Sequence, residues 1–99
     1  MAISIVVLPS GVTITGITSN FGPTFTLIYG GVHLVGCSDT GTAAGTLEYQ
    51  APDGSYVPIA NATFTAAGAL QLYLAPGNYF WQPGAGITLG SFFATRMVL

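Results

Sequence analysis

Apolar and small polar residues alternate one by one through most of this chain, and glycine or proline breaks the alternation every few positions. Val12 and Ile14 fall on one side of such a segment, Thr13 and Thr15 on the other. Phe25, Leu27 and Tyr29 alternate with Thr24, Thr26 and Ile28, and Leu70, Leu72 and Leu74 alternate with Gln71 and Tyr73. Successive side chains of a strand point to opposite faces, so a period of two marks a strand with one face on a core and a Thr-rich face outward. No segment sets apolar residues at helical spacing against a face of Lys, Glu and Gln. The chain therefore reads as all-β.

The breaks are Pro9-Ser10-Gly11, Asn20-Phe21-Gly22-Pro23, Gly30-Gly31, Pro52-Asp53-Gly54, Ala67-Gly68, Pro76-Gly77-Asn78 and Pro83-Gly84, all at hairpin intervals. Pro52-Asp53-Gly54 is the clearest hairpin turn, whereas Gly30-Gly31 makes either a tight hairpin or a bulge. Strands are expected over 3–8, 12–18, 24–29, 31–37, 45–50, 55–59, 62–65, 69–75, 78–82 and 87–98, with some neighbours joined as one bent strand. That is about eight short strands without helices, an antiparallel β-sandwich or barrel, jelly-roll or immunoglobulin-like. Glu48 and Gln50 should point to solvent, with Leu47 and Tyr49 inward. Residues 38–45 read as a surface loop. Residues 1–99 make a single domain, with 1–9 either an N-terminal arm that reaches a partner or an ordinary first strand.

Charge is nearly absent. Asp39, Glu48, Asp53 and Arg96 are the only Asp, Glu, Lys or Arg residues among 99, and the net charge is −2. Ordinary domains place about a quarter of their residues in this set, so much of this surface is expected to be covered by neighbours. The apolar residues do not form the runs of about 20 that a spanning helix needs, and the start lacks a basic n-region, so no membrane partner and a cytoplasmically made protein are expected. One Arg and no Lys remove the basic footprint that phosphate-backbone binding requires, so no nucleic-acid partner is expected.

Catalytic groups are equally scarce. A hydrolase built on His33 would need Ser38 or Cys37 as nucleophile and Asp39 to orient the imidazole, but His33 and Cys37 are roughly 13 Å apart on an extended strand. His33 is read as packed in or beside the core, and Cys37 as a small buried hydrophobe. Asp39, Glu48 and Asp53 have no metal-ligand spacing, and no glycine pattern leads a strand into a helix as nucleotide binding requires. No enzyme, metal or cofactor is expected. Tyr79 and Trp81, flanked by Asn78 and Gln82, either form a platform that stacks sugar rings or serve as core on one side and interface on the other. Arg96 either pairs with Glu48 or Asp53 or stands without an internal partner.

Gly45 to Ile59 carries a Thr-Leu-x-x-x-x-Pro-Asp-Gly segment with Tyr56 after the turn. There follow Thr65-Ala-Ala-Gly68, Leu74-Ala-Pro-Gly-Asn-Tyr79 and a terminal apolar strand with Arg96. Together with Phe25-Thr-Leu-Ile-Tyr-Gly-Gly-Val-His33, this pattern resembles small all-β structural proteins of tailed bacteriophages. His33 stands where an aromatic is commoner, and Phe80-Trp81 where that family style supplies an Arg, which points to an apolar contact. The resemblance implies a virion role: a capsid decoration (cement) protein on the outer capsid surface that forms a homo-oligomer, trimer or dimer, and bridges major capsid protein subunits. The competing expectation is a glycan-binding virion surface or tail module. Residues 87–99 are apolar on both faces, and only one face can meet this domain's own core. Interface residues are therefore expected at Ile3, Ile5, Val7, Trp81, Phe92, Phe93 and Arg96, and whichever of Phe92 and Phe93 points outward should sit in a subunit contact.

Overall fold

The computed structural model describes residues 4–8, 10–18, 22–39, 45–84 and 90–97. Among them are nine strands and no helix: β1 (Ser4–Leu8), β2 (Gly11–Ile17), β3 (Thr24–Leu27), β4 (Gly31–Asp39), β5 (Gly45–Gln50), β6 (Tyr56–Phe64), β7 (Gly68–Leu74), β8 (Gly77–Pro83) and β9 (Gly90–Arg96). All pairings are antiparallel. Five strands form one sheet in the order β1-β2-β9-β4-β7, hereafter sheet A, and four form sheet B in the order β3-β8-β5-β6.

Eight of these strands, β2 to β9, follow the jelly-roll order, with β1 added beside β2. This separates the two sandwich types left open by the sequence. Only β1–β2 and β5–β6 are hairpins within a sheet; the connections at Gly30-Gly31, Ala67-Gly68, Pro76-Gly77 and Pro83-Gly84 carry the chain from one sheet to the other. Turn residues mark a change of direction but not its plane, so the reading of these breaks as hairpins is corrected. At Gly77 the backbone takes φ 150°, and a Cβ there would stand 2.7 Å from the Tyr49 hydroxyl. A side chain would therefore block both the turn and the ring that packs across it.

The expected strands 55–59 and 62–65 are one bent strand, β6, in which Asn61 at φ 66° marks an irregularity in the pairing with β5. Strand β4 runs on to Asp39 rather than stopping at 37. The rest of the expected 38–45 loop lies mostly outside the described residues.

Alternation places most of the core as the sequence indicates, but β3 ends at Leu27 rather than 29, and Tyr29, expected on the core side, is exposed. Val12, Ile14, Phe25, Leu27, Val35, Leu47 and Leu74 are buried between the sheets, with Tyr49 packed against them. The centre is aromatic. Phe92 of sheet A lies 4.6 Å from the Trp81 ring and 5.6 Å from Phe25, both of sheet B; Phe25 stacks on Tyr79 at 5.4 Å, and Phe64 meets Trp81 edge-on at 5.9 Å. Trp81 is 1% exposed and Phe92 0%. Tyr79 donates its hydroxyl to the Ala75 carbonyl at 2.5 Å, and burial pushes its phenol well above the ordinary value.

The β5–β6 turn closes through Gly54 N–H to Ala51 O at 2.9 Å and Ala51 N–H to Ser55 O at 2.7 Å, with Gly54 at φ 92°. Asp53 accepts from the Ser55 hydroxyl at 2.6 Å and the Ser55 amide at 3.0 Å, and these bonds hold its carboxyl below the ordinary 3.8.

Truncating Trp81→Ala should cost about 3–5 kcal/mol in urea unfolding, a large fraction of the total stability of a domain this size. For Asp53, a lowered folded-state value means that its contribution is present above 3.8 and fades as pH falls through the folded-state value. Asp53→Ala should therefore be less stable than wild type near about pH 7, and the difference should narrow by about pH 2 in paired urea melts.

Candidate assembly interface

Strand β9 lies between β2 and β4, so a residue of β9 that turns away from the core stands in the middle of the outer face of sheet A. Phe92 and Ala94 point inward and are buried, while Phe93 points outward. Its register neighbours define a row across all five strands: Val6, Thr13, Phe93, Gly36 and Ala69. A Cβ on Gly36 would stand 2.6 Å from the Phe93 ring, so the ring packs against that glycine.

The next rows carry Thr95, Leu34 and Gln71, then Val32 beside Tyr73, with Met97 joined to the Val32 carbonyl at 2.8 Å. In the other direction stand Thr15, Ser91 and Ser38, the two serine hydroxyls 2.6 Å apart. Val6, Val32, Leu34, Tyr73 and Met97 are all exposed. No Asp, Glu, Lys or Arg stands on this face among the described residues.

The outer face of sheet B carries the ring pair Tyr56 and Phe80, 5.6 Å apart, and beside it a polar ladder and a charge. Thr26 donates to Asn78 at 2.6 Å, Asn78 to Gln50 at 2.9 Å and Gln50 to the Gly54 carbonyl at 3.1 Å, while Thr46 and Thr63 pair at 3.2 Å. Glu48 stands on this same face. Such a ladder is content in water.

The strand edges repeat the contrast. An exposed edge is a template for foreign pairing unless it is short, charged, bulged or interrupted by proline. In sheet B, β3 is only four residues long and β6 carries Pro58 and the Asn61 irregularity. The edges of sheet A, the five-residue β1 (Ser-Ile-Val-Val-Leu) and β7 (Gly-Ala-Leu-Gln-Leu-Tyr-Leu), carry neither proline nor charge within the strand.

The sequence-expected interface residues divide accordingly. Ile5 and Val7 lie on β1 opposite Ile14 and Val12, and remain 40% and 42% exposed at the sheet edge. Strand β1 pairs with β2 of its own chain along its whole length, so it is an ordinary first strand of this sheet. Ile3 lies outside the described residues. Trp81 and Phe92 are corrected: both are in the intersheet core and offer a partner nothing. Phe93 is the outward member of its pair. Arg96 sits at the end of β9 beside His33, with its guanidinium 5.6 Å from the centre of the Tyr29 ring. It makes a cation–π contact there rather than meeting Glu48 or Asp53, which belong to sheet B and its turn. Val32, Leu34, Tyr73 and Met97 were missed. The signal was present at Val32 and Leu34, since β4, like β9, is apolar in both phases of the alternation.

The same topology also places the residues of the other candidate sites. Tyr79 and Trp81 are both buried, so neither ring is open for a sugar to stack on; Asn78 is engaged by Thr26 and Gln50, and Gln82 by the Pro83 carbonyl at 3.3 Å. His33 is buried and donates Nδ1–H to the Gly31 carbonyl at 2.8 Å, while Ser38 bonds Ser91 on the opposite face of the sheet, so the two form no nucleophile–base pair. Among the described residues no group of three or more His, Cys, Asp or Glu is placed to hold a metal ion, and no helix is long and apolar enough to cross a membrane. A shallow cleft of about 350 Å³ opens between the β6 and β7 sides of the sandwich, lined by Tyr49, Ile59, Tyr73, Leu74, Ala75 and Tyr79. Tyr49 and Tyr79 already donate their hydroxyls to the Pro76 and Ala75 carbonyls. No protein-family model, curated protein or solved structure matches this chain.

Adjacent phenylalanines should thus respond in opposite ways to the same substitution. Phe92→Asp buries an unpaired carboxylate and should unfold the domain at a cost above about 4 kcal/mol, whereas Phe93→Asp should cost under about 2 kcal/mol and keep the wild-type circular dichroism.

Proposed function

We propose that this chain is a non-enzymatic structural subunit that works within an assembly, and that the assembly is a virion: a capsid decoration protein that oligomerises and bridges major capsid protein subunits on the outer capsid surface. The observation that carries the structural reading is the outer face of sheet A, uncharged among its described residues, rich in exposed apolar side chains and bounded by two strand edges that carry neither proline nor charge. A soluble domain that remains alone does not maintain such a face, because it promotes association. The virion setting draws on the likeness of the turn and strand motifs to small phage structural proteins. The jelly roll is frequent among viral shell domains, which agrees with that setting without carrying it.

The mechanism is non-covalent clamping. A protein contact of ordinary size covers roughly 800 Å² on each partner, and apolar area removed from water stabilises by about 25 cal/mol per Å² before ordering costs. Repeated over a shell, modest contacts of this kind resist internal pressure together. The glycan-binding reading has less support, since the two rings it would use are enclosed in the core.

Heads lacking the protein should rupture at a lower temperature than heads to which purified protein has been added back. Phe93→Asp, folded but altered at the centre of the face, should fail to co-sediment with heads and should give no protection; full protection by this variant would remove sheet A from the contact.

A further inference from the structure

We propose that the free edge of β1 pairs antiparallel with β1 of a second copy, across a two-fold axis at Val6, so that two copies of sheet A become one continuous sheet. The inference rests on the assembly reading above and names the copy-to-copy contact within it.

Strand β1 is paired on one side only, in register with β2 over all five residues, and no strand lies on its other side among the described residues. Its main-chain groups on that side form a row that an antiparallel copy of itself satisfies. The side chains are self-complementary in the same register. With Val6 opposite Val6, Ile5 of one copy faces Val7 of the other, and every side chain keeps its own face of the sheet. Ile5 and Val7 point to the core side yet stay 40% and 42% exposed, because β1 is the edge strand of its sheet and contact with the four-residue β3 covers them only in part. A second β1 supplies the cover that β3 does not.

Charge is consistent with the occupant that the register favours. The edge is neutral from Ser4 to Leu8, and the charges of Glu48 and Asp53 belong to sheet B and its turn. Two copies therefore meet without like-charge repulsion, whereas a charged strand from another protein would lose hydration against Ile and Val with no ion pair in return. The β7 edge is the poorer candidate, because it begins Gly68-Ala69, and glycine in a strand weakens pairing.

A five-residue strand pair covers less than the roughly 800 Å² per partner of an ordinary interface, so the dimer forms in a concentration-dependent way. Its consequence is geometric. The row Val6, Thr13, Phe93, Gly36 and Ala69 continues through the axis into the same row of the other copy, doubling the uncharged face and making its attachment to a shell bivalent.

The test is a charge swap at the axis, read by sedimentation velocity and native mass spectrometry. Wild type should be dimeric at about 100 µM. Val6→Asp and Val6→Lys, each placing like charges opposite one another, should dimerise at least ~100-fold more weakly while keeping the wild-type fold. An equimolar mixture of the two should give a 1:1 heterodimer. A monomeric wild type, a Val6→Asp protein that dimerises as wild type does, or a mixture that stays monomeric would each overturn the proposal. Amide exchange on the wild type needs no variant: protection of β1 should rise with concentration, and its absence would count equally against the pairing. Phe93→Asp, changed away from β1, should still dimerise whether or not it binds heads, so the dimer and the capsid reading can fail separately.

Discussion

The contact between Phe92 and the rings of Trp81 and Phe25 holds this sandwich together. Sheet A contributes one aromatic to the centre of the core, and sheet B contributes the rings on either side of it. Large rings in this arrangement bury much area per residue and fix their mutual geometry through the preference for offset and tilted stacking. Gly45 leaves room for the Trp81 ring, since a Cβ there would overlap it. A chain of 99 residues has room for a single small core, and this one concentrates its aromatics there.

With the core settled by Phe92, the next residue is forced to the other side of β9, and β9 is central in its sheet. The same period of two that builds the interior therefore places a phenylalanine in the middle of the exterior. The ring at 93 covers Gly36 and stays partly exposed. Sheet B shows what the chain does with a face meant for water: threonine, asparagine and glutamine joined in a ladder, a proline and an irregular strand at one edge, a short strand at the other. Sheet A mixes its threonines and serines with Val6, Val32, Leu34, Tyr73 and Met97, all exposed, and it carries no charge among its described outer residues.

The strands were legible because alternation is a local property. Val12, Ile14, Leu47 and Leu74 declare their side by their neighbours alone, and the Pro52-Asp53-Gly54 turn declares itself by its own φ requirement. The crossings between sheets were not legible, since a Gly-Gly or Pro-Gly break looks the same whether the chain folds back in plane or passes to the other layer. For the same reason Trp81 and Phe92 were placed among interface residues: a strand apolar in both phases says that both faces are covered, but not which phase is inside. Register across β2, β9 and β4 decides that, and register is set by contacts remote in sequence. The pairing of Arg96 failed on the same ground, because Glu48 and Asp53 turned out to belong to the other layer.

The absence of charge from the outer face of sheet A also sets how its contacts respond to conditions. Ionic screening has nothing to act on there, so simple salts should leave such contacts almost untouched, while salts excluded from protein surfaces tighten them. Cooling works in the opposite sense. Apolar association weakens as temperature falls, and a contact with no ion pairs to take over loses strength in the cold while the domain behind it, held by its stacked rings, stays folded. A coat fastened by this face would loosen on ice and set again on warming.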